Sequence, residues 1–136
     1  MPSLRDYRLF ISHAWQYTDG YNRLETLLNA AANFSWLNYS VPRADSVSAQ
    51  TTTGLEEAMR RQIRPVQAVL IIASMYVNHS RWIQFEMDFA KELRKPIVGV
   101  VPYGGERTPQ AVANAADEMV AWSTVSIVDA VRRLSI

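Results

Sequence analysis

Two hydrophobic periods alternate along the chain. Short apolar runs of strand length appear at "YRLFISHA" (Tyr7–Ala14), "QAVLIIAS" (Gln67–Ser74) and "PIVGVVPYG" (Pro96–Gly104). The second is fully apolar and β-branched, as a central parallel strand must be. "FSWLNYSV" (Phe34–Val41) alternates partly and is rich in aromatics, and "MVAWS" (Met119–Ser123) is a short fifth run; both read as strands. Between them lie stretches of helical spacing. Asp19–Ala32 places Tyr21, Leu24, Leu28 and Ala31 on one face, with Asp19 available as a cap. "TGLEEAMRRQI" opens with Thr53 and has Glu56 three residues on, a capping box, and ends near Arg64 before Pro65. Thr108 and Pro109 can start a helix in "TPQAVANAAD", and Ser126 can cap a last one in "SIVDAVRRLSI". The polar stretch Pro42–Thr52 is long for a connection and reads as a functional loop.

The helix expected over Ser80–Arg94 carries an anomaly. With Trp82 set at zero, Leu93 falls at roughly 20°, Ala90 at 80°, Ile83 at 100°, Phe89 at 340° and Phe85 at 300°. Gln84, Asp88, Lys91 and Lys95 gather opposite. Glu86 lands at roughly 40°, inside the apolar arc. A carboxylate there is tied into a local ion pair, sits on a helix rotated from this wheel, or is kept for chemistry.

Strands alternating with helices imply a parallel sheet covered on both faces, joined by right-handed crossovers. The expected architecture is α/β: five strands in an open, doubly wound sheet, within a single domain over residues 1–136. Ligands of such sheets bind beyond the carboxyl ends of the strands. The working rim is then Ser12–Thr18, Pro42–Thr53 and Ser74–Ser80.

Composition narrows the chemistry. The chain has 136 residues and no cysteine, so thiol nucleophiles, disulfides and cysteine zinc sites are excluded, and two histidines argue against a metal centre. The net charge of +1 gives no electrostatic footprint for nucleic acid. The Arg60-Arg61-Arg64 group reads first as a solvated helix face and second as a phosphate contact. No signal-like h-region and no apolar run of membrane length is present, so neither a membrane partner nor a site other than the cytoplasm is expected. The sequence has no P-loop, no G-x-G-x-x-G after the first strand and no G-x-S-x-G elbow. The rim keeps Ser12, His13, Trp15, Tyr39, Asp45, Tyr76, Trp82 and Glu86. Each has a plainer structural reading as well: packing for Trp82, Trp15 and Tyr39, backbone hydrogen bonding for Ser12 and His13, a turn cap for Asp45.

The start "FISHAW", the segment "WLNYSVP" and the helix with "WIQFE" resemble, in that order, the TIR-like domains of bacteria. The resemblance runs from about Tyr7 to Leu134 and is strongest to the TIR subunits of Thoeris anti-phage systems. It implies a flavodoxin-like TIR fold and cleavage of NAD at the nicotinamide–ribose bond, as an NAD nucleosidase or ADP-ribosyl cyclase. Glu86, four residues after Trp82, matches the family's catalytic glutamate. Ser12, His13, Trp15, Tyr39, Asp45 and Trp82 are then the candidate substrate-binding residues. NAD is the substrate, with no resident cofactor and no metal. The resemblance further implies a cyclic ADP-ribose-type signal, a separate effector that this diffusible signal activates, a phage-derived trigger and a possible homo-oligomer. The loop after the second strand follows the bacterial pattern, so assembly contacts of animal and plant TIR domains do not carry over. The rival reading is a non-catalytic TIR-like module that signals by assembly.

One carboxylate suffices for the implied reaction. The nicotinamide of NAD is a cationic pyridinium that leaves neutral, so it needs no proton, whereas glycosidases need a second carboxyl group as acid. A carboxylate in a dry pocket stabilises developing positive charge more strongly than in water. Apolar neighbours would also keep water from competing with internal attack.

Overall fold

The strand Ala68–Ile72 is buried at every position, and the other elements are arranged to cover it. The computed structural model describes residues 6–12, 19–39, 52–73, 76–101 and 110–135. Five strands form one sheet: β1 (Asp6–Ile11), β2 (Ser35–Asn38), β3 (Ala68–Ile72), β4 (Ile97–Val101) and β5 (Glu118–Ala121). Their order is β2-β1-β3-β4-β5 and every pairing is parallel. The helices are α1 (Asp19–Asn29), α2 (Thr52–Ile63), α3 (Tyr76–Glu92), α4 (Gln110–Ala115) and α5 (Thr124–Leu134). This is the flavodoxin-like α/β arrangement expected from the sequence, and a TIR-like fold.

Strand periodicity divides the core into two layers. Ala68, Leu70 and Ile72 join Leu9 and Ile11 against Leu24, Leu28, Ile127 and Val131 of α1 and α5. Val69, Ile71 and Phe10 face the other way, against Met59 and Ile63 of α2, Ile83, Met87 and Ala90 of α3, and Val112 of α4. The amide of Ser12 bonds the Leu70 carbonyl at 3.0 Å, so the extended backbone of β1 runs one residue further. Ser12 therefore shares the face of Phe10, the α2–α3 face.

Several element ends differ from the sequence reading. β1 ends at Ile11 rather than Ala14, and β2 covers Ser35–Asn38 only. α1 begins at Asp19 and α2 at Thr52, so Asp19 and Thr53 lie inside the first turns and neither is the N-cap. α3 begins at Tyr76, four residues before the expected Ser80, which moves Trp82 and Glu86 deeper into the helix. For α5 the cap is Ser123, not Ser126. The Ser126 amide donates to the Ser123 hydroxyl at 3.3 Å, and Ser123 has extended backbone. The first helical amides need an acceptor two or three residues back, and Ser123 is the one correctly spaced. The Thr108–Pro109 start and most of the Pro42–Thr52 loop lie outside the described residues.

The Arg60 group is a solvated face in large part: Arg61 and Arg64 are exposed and Arg60 is half-buried. Arg60 lies over the Phe85 and Phe89 rings of α3, at 5.2 and 5.9 Å to their centroids, and reaches Glu56 at 3.7 Å. Arg64 lies over Phe89 at 6.0 Å. Arg60 of α2 and Arg64 just after it thus rest on the aromatic flank of α3.

Gly99 of β4 pairs with Met119 of β5. A Cβ at Gly99 would lie 2.3 Å from Met119 Sδ and 2.9 Å from its Cε, so the thioether occupies the space a side chain would need. Gly99→Ala is expected to cost about 1 kcal/mol in urea unfolding, at the low end for overpacking because the end of Met119 can move. In Gly99→Ala/Met119→Ala the two losses should sum to less than their separate values. Strict additivity would show that the clash is not the cause.

Candidate functional site

Glu86 lies in the middle of α3 and is 2 % exposed. The helical wheel accounts for its burial. Ile83, Met87 and Ala90 are fully buried against the sheet, while Trp82, Phe85 and Phe89 are half-buried on the flank. Glu86 falls between these two groups. Gln84 and Asp88 turn outward and bond each other at 2.9 Å. Ser12 comes from the end of β1, is 1 % exposed and faces the same layer. These are the buried polar side chains among the described residues.

Burial raises the Glu86 carboxyl from an ordinary 4.5 to about 8, and the Ser12 hydroxyl offsets part of that rise. Ser12 nevertheless falls short of a formed hydrogen bond. Ser12 Oγ and Glu86 Oε2 are both buried without a hydrogen-bond partner. No ion pair among the described residues involves Glu86. The first of the two structural readings, a local salt bridge, therefore does not describe it. An unsatisfied buried oxygen costs about 1–3 kcal/mol, so two of them side by side form an uncompensated polar spot in an otherwise apolar layer. At neutral pH the carboxyl is mostly protonated. A cation placed beside it would ionise it and gain a desolvated counter-charge.

Two further candidates lie on this face. Tyr39 follows β2, where its amide bonds the Leu9 carbonyl at 2.8 Å, and its ring packs half-buried against the α2–α3 layer. Trp82, one turn before Glu86, packs against the same layer. The structure thus brings Ser12, Tyr39, Trp82 and Glu86 to one side of the sheet, with Ser12 and Tyr39 following the carboxyl ends of β1 and β2. That is the side and end where such sheets take ligands. His13, Trp15 and Asp45 lie outside the described residues. Among the described residues no group of histidines, aspartates or glutamates could hold a metal ion, and no helix is long and apolar enough to cross a membrane.

An all-parallel sheet of order 2-1-3-4-5 places the chain in the flavodoxin-like α/β class. The family model described as "Thoeris protein ThsB, TIR-like domain" matches residues 10–107, most of the chain, and the protein belongs to that family. It is a TIR-family defence protein of the Thoeris type. No curated protein matches the chain.

The raised carboxyl predicts a pH dependence of stability. Between pH 4.5 and about 8 the folded chain holds a proton on Glu86 that the unfolded chain has released. Its contribution to stability is therefore lost as pH rises through that window, by up to about 1.4 kcal/mol per pH unit. Glu86→Gln should remove this slope and be more stable than wild type at pH 8, measured by urea unfolding at pH 5 and 8. Equal slopes in both proteins would mean that Glu86 titrates normally.

Proposed function

We propose that this domain cleaves NAD at the nicotinamide–ribose bond, releases nicotinamide and closes the ADP-ribose moiety into a cyclic signal. That signal leaves the domain and activates a separate effector during phage infection. The observation that carries the reading is the unpaired, buried Glu86 carboxyl beside Ser12. In this scheme the cationic nicotinamide ring enters next to Glu86 and lowers its pKa, so that the carboxyl releases its proton to solvent as the substrate seats. The resulting carboxylate faces the ribose as the C–N bond breaks and positive charge passes to the sugar. The nicotinamide departs neutral, so no acid is required. Trp82 supplies an aromatic wall, and Ser12 holds a ribose hydroxyl or the carboxylate itself. The apolar layer around Glu86 keeps water away, which favours attack by a group of the substrate over hydrolysis.

The test is nicotinamide release from NAD by the purified protein, with and without extract of phage-infected cells, followed by mass spectrometry of the nucleotide product. Wild type with infected extract should release nicotinamide and form a product of cyclic ADP-ribose mass. Glu86→Gln should lose at least about a hundredfold in rate, the scale of removing one preorganised electrostatic group. If infected extract elicits no nicotinamide release from wild type, the enzymatic reading falls and assembly signalling takes its place.

The carboxylate form is the active one, so kcat/KM should rise about tenfold per pH unit below pH 8 and level off above it. The inflection in kcat should lie lower, because the bound cation favours ionisation. Ser12→Ala removes the group that lowers the Glu86 pKa and should move the kcat/KM inflection upward. A profile that is flat between pH 6 and 8 in wild type contradicts this role for Glu86.

A further inference from the structure

A second feature lies at the opposite edge of the sheet. An open surface pocket of about 590 Å³ lies where β4 and β5 begin, lined by Lys91, Arg94, Lys95, Pro96, Asp117 and Leu134, with Lys91 and Arg94 exposed. That is the size of a small-molecule site. Lys91, Arg94 and Lys95 are in none of the ion pairs that the described residues make with one another. The carboxylate present does not serve them: Asp117 Oδ2 accepts the Ile97 amide at 2.7 Å. Lys95 is half-buried, and burial together with the positive charge of Arg8 holds its ammonium below the usual pKa.

Lys91 lies in the last turn of α3, and Arg94 and Lys95 lie just beyond it, where positive charge suits the helix dipole. That accounts for their charge but not for the backbone of Arg94. The Lys95 amide bonds the Ala90 carbonyl at 2.8 Å and the Arg94 amide bonds the Lys91 carbonyl at 3.0 Å, a Schellman ending. Arg94 occupies its left-handed position, with φ of 58°. Glycine fits that position without strain and arginine does not. The other described non-glycine residue with positive φ is Asn33, a type that tolerates it. The chain thus places a strained left-handed arginine beside a half-buried lysine that Arg8 already opposes, and backbone strain of this kind clusters where ligands bind.

We propose that this pocket binds a small diphosphate-bearing ligand of nucleotide size. The three cations take the phosphates, and Pro96 and Leu134 give the apolar wall against which a base or sugar rests. The site lies at the amino end of the strands and is separate from the Glu86 face, so it stands independently of NAD cleavage.

Binding is measured on the full chain with inorganic pyrophosphate, ADP and adenosine as probes, by calorimetry and by amide chemical shifts. Pyrophosphate and ADP should shift the amides of residues 91–97 and of Asp117, and adenosine should not. ADP binding tighter than pyrophosphate would mark a nucleotide as the source, and equal affinity would mark a phosphate site; either supports the proposal. Arg94→Gly relieves the left-handed strain, so it should raise the Tm while weakening pyrophosphate binding at least tenfold. Lys95→Gln should weaken it as well, and Arg61→Gln, on α2, should leave it unchanged. Shifts confined to other residues, wild-type affinity in Arg94→Gly, or equal weakening by Arg61→Gln would each overturn the site.

Discussion

The structure depends on covering β3. A parallel strand between two parallel neighbours exposes side chains on both faces, and Ala68–Ile72 has no polar residue to show to water. One layer of helices must therefore lie on each side. α1 and α5 take the face of Leu70, and α2, α3 and α4 take that of Ile71. Once α3 is held against Ile71 by Ile83, Met87 and Ala90, its rotation is fixed. Glu86 is then carried into the layer as a consequence of its position in the helix, and no described residue is supplied to neutralise it.

A sequence that places a carboxyl there accepts a loss of stability, because an apolar residue of similar size would fill the same space without a stranded oxygen. Ser12 does not remove the cost. It lies on the same face and shares the condition of lacking a partner. Under the proposed chemistry, these two adjacent unsatisfied polar atoms are met by a third group when substrate is bound. The requirement is for a group that carries positive charge and can also hydrogen-bond a hydroxyl. Under the proposed chemistry, the nicotinamide ribosyl portion of NAD has both properties.

Much of the fold was legible because buried parallel strands leave a plain signal. "AVLII" has no other sensible place than a central strand, and the order of strands and helices follows from alternation. Boundaries were less legible, for a physical reason in each case. The expected start of α3 at Ser80 was late because the segment between Tyr76 and Ser80 is polar and lacks the apolar period that marked the rest. The cap of α5 was misplaced by three residues because both Ser123 and Ser126 can cap, and only the geometry of the turn selects between them. The burial of Glu86 was visible from the wheel. Its lack of an ion-pair partner was not, since that depends on β1 and α3 meeting across residues far apart in the chain. Lys91 is exposed as the wheel places it, whereas the half-burial of Lys95 depends on where β4 and β5 begin, which a wheel does not show.

The raised Glu86 pKa bears on how such a domain can stay quiet. With its carboxyl near 8, most molecules at neutral pH hold the protonated form, which offers no charge to a developing cation. Ionisation must be driven by whatever sits beside it. A substrate with a fixed positive charge supplies that drive on arrival, and a loosely seated one supplies less, because the Coulomb gain falls with distance. Small improvements in substrate placement are then amplified, since they change both the fraction ionised and the stabilisation that the ionised group provides. Under the proposed chemistry, any event that tightens the packing of α3 against the carboxyl end of β1 would raise turnover through this one residue, with no change in the catalytic group.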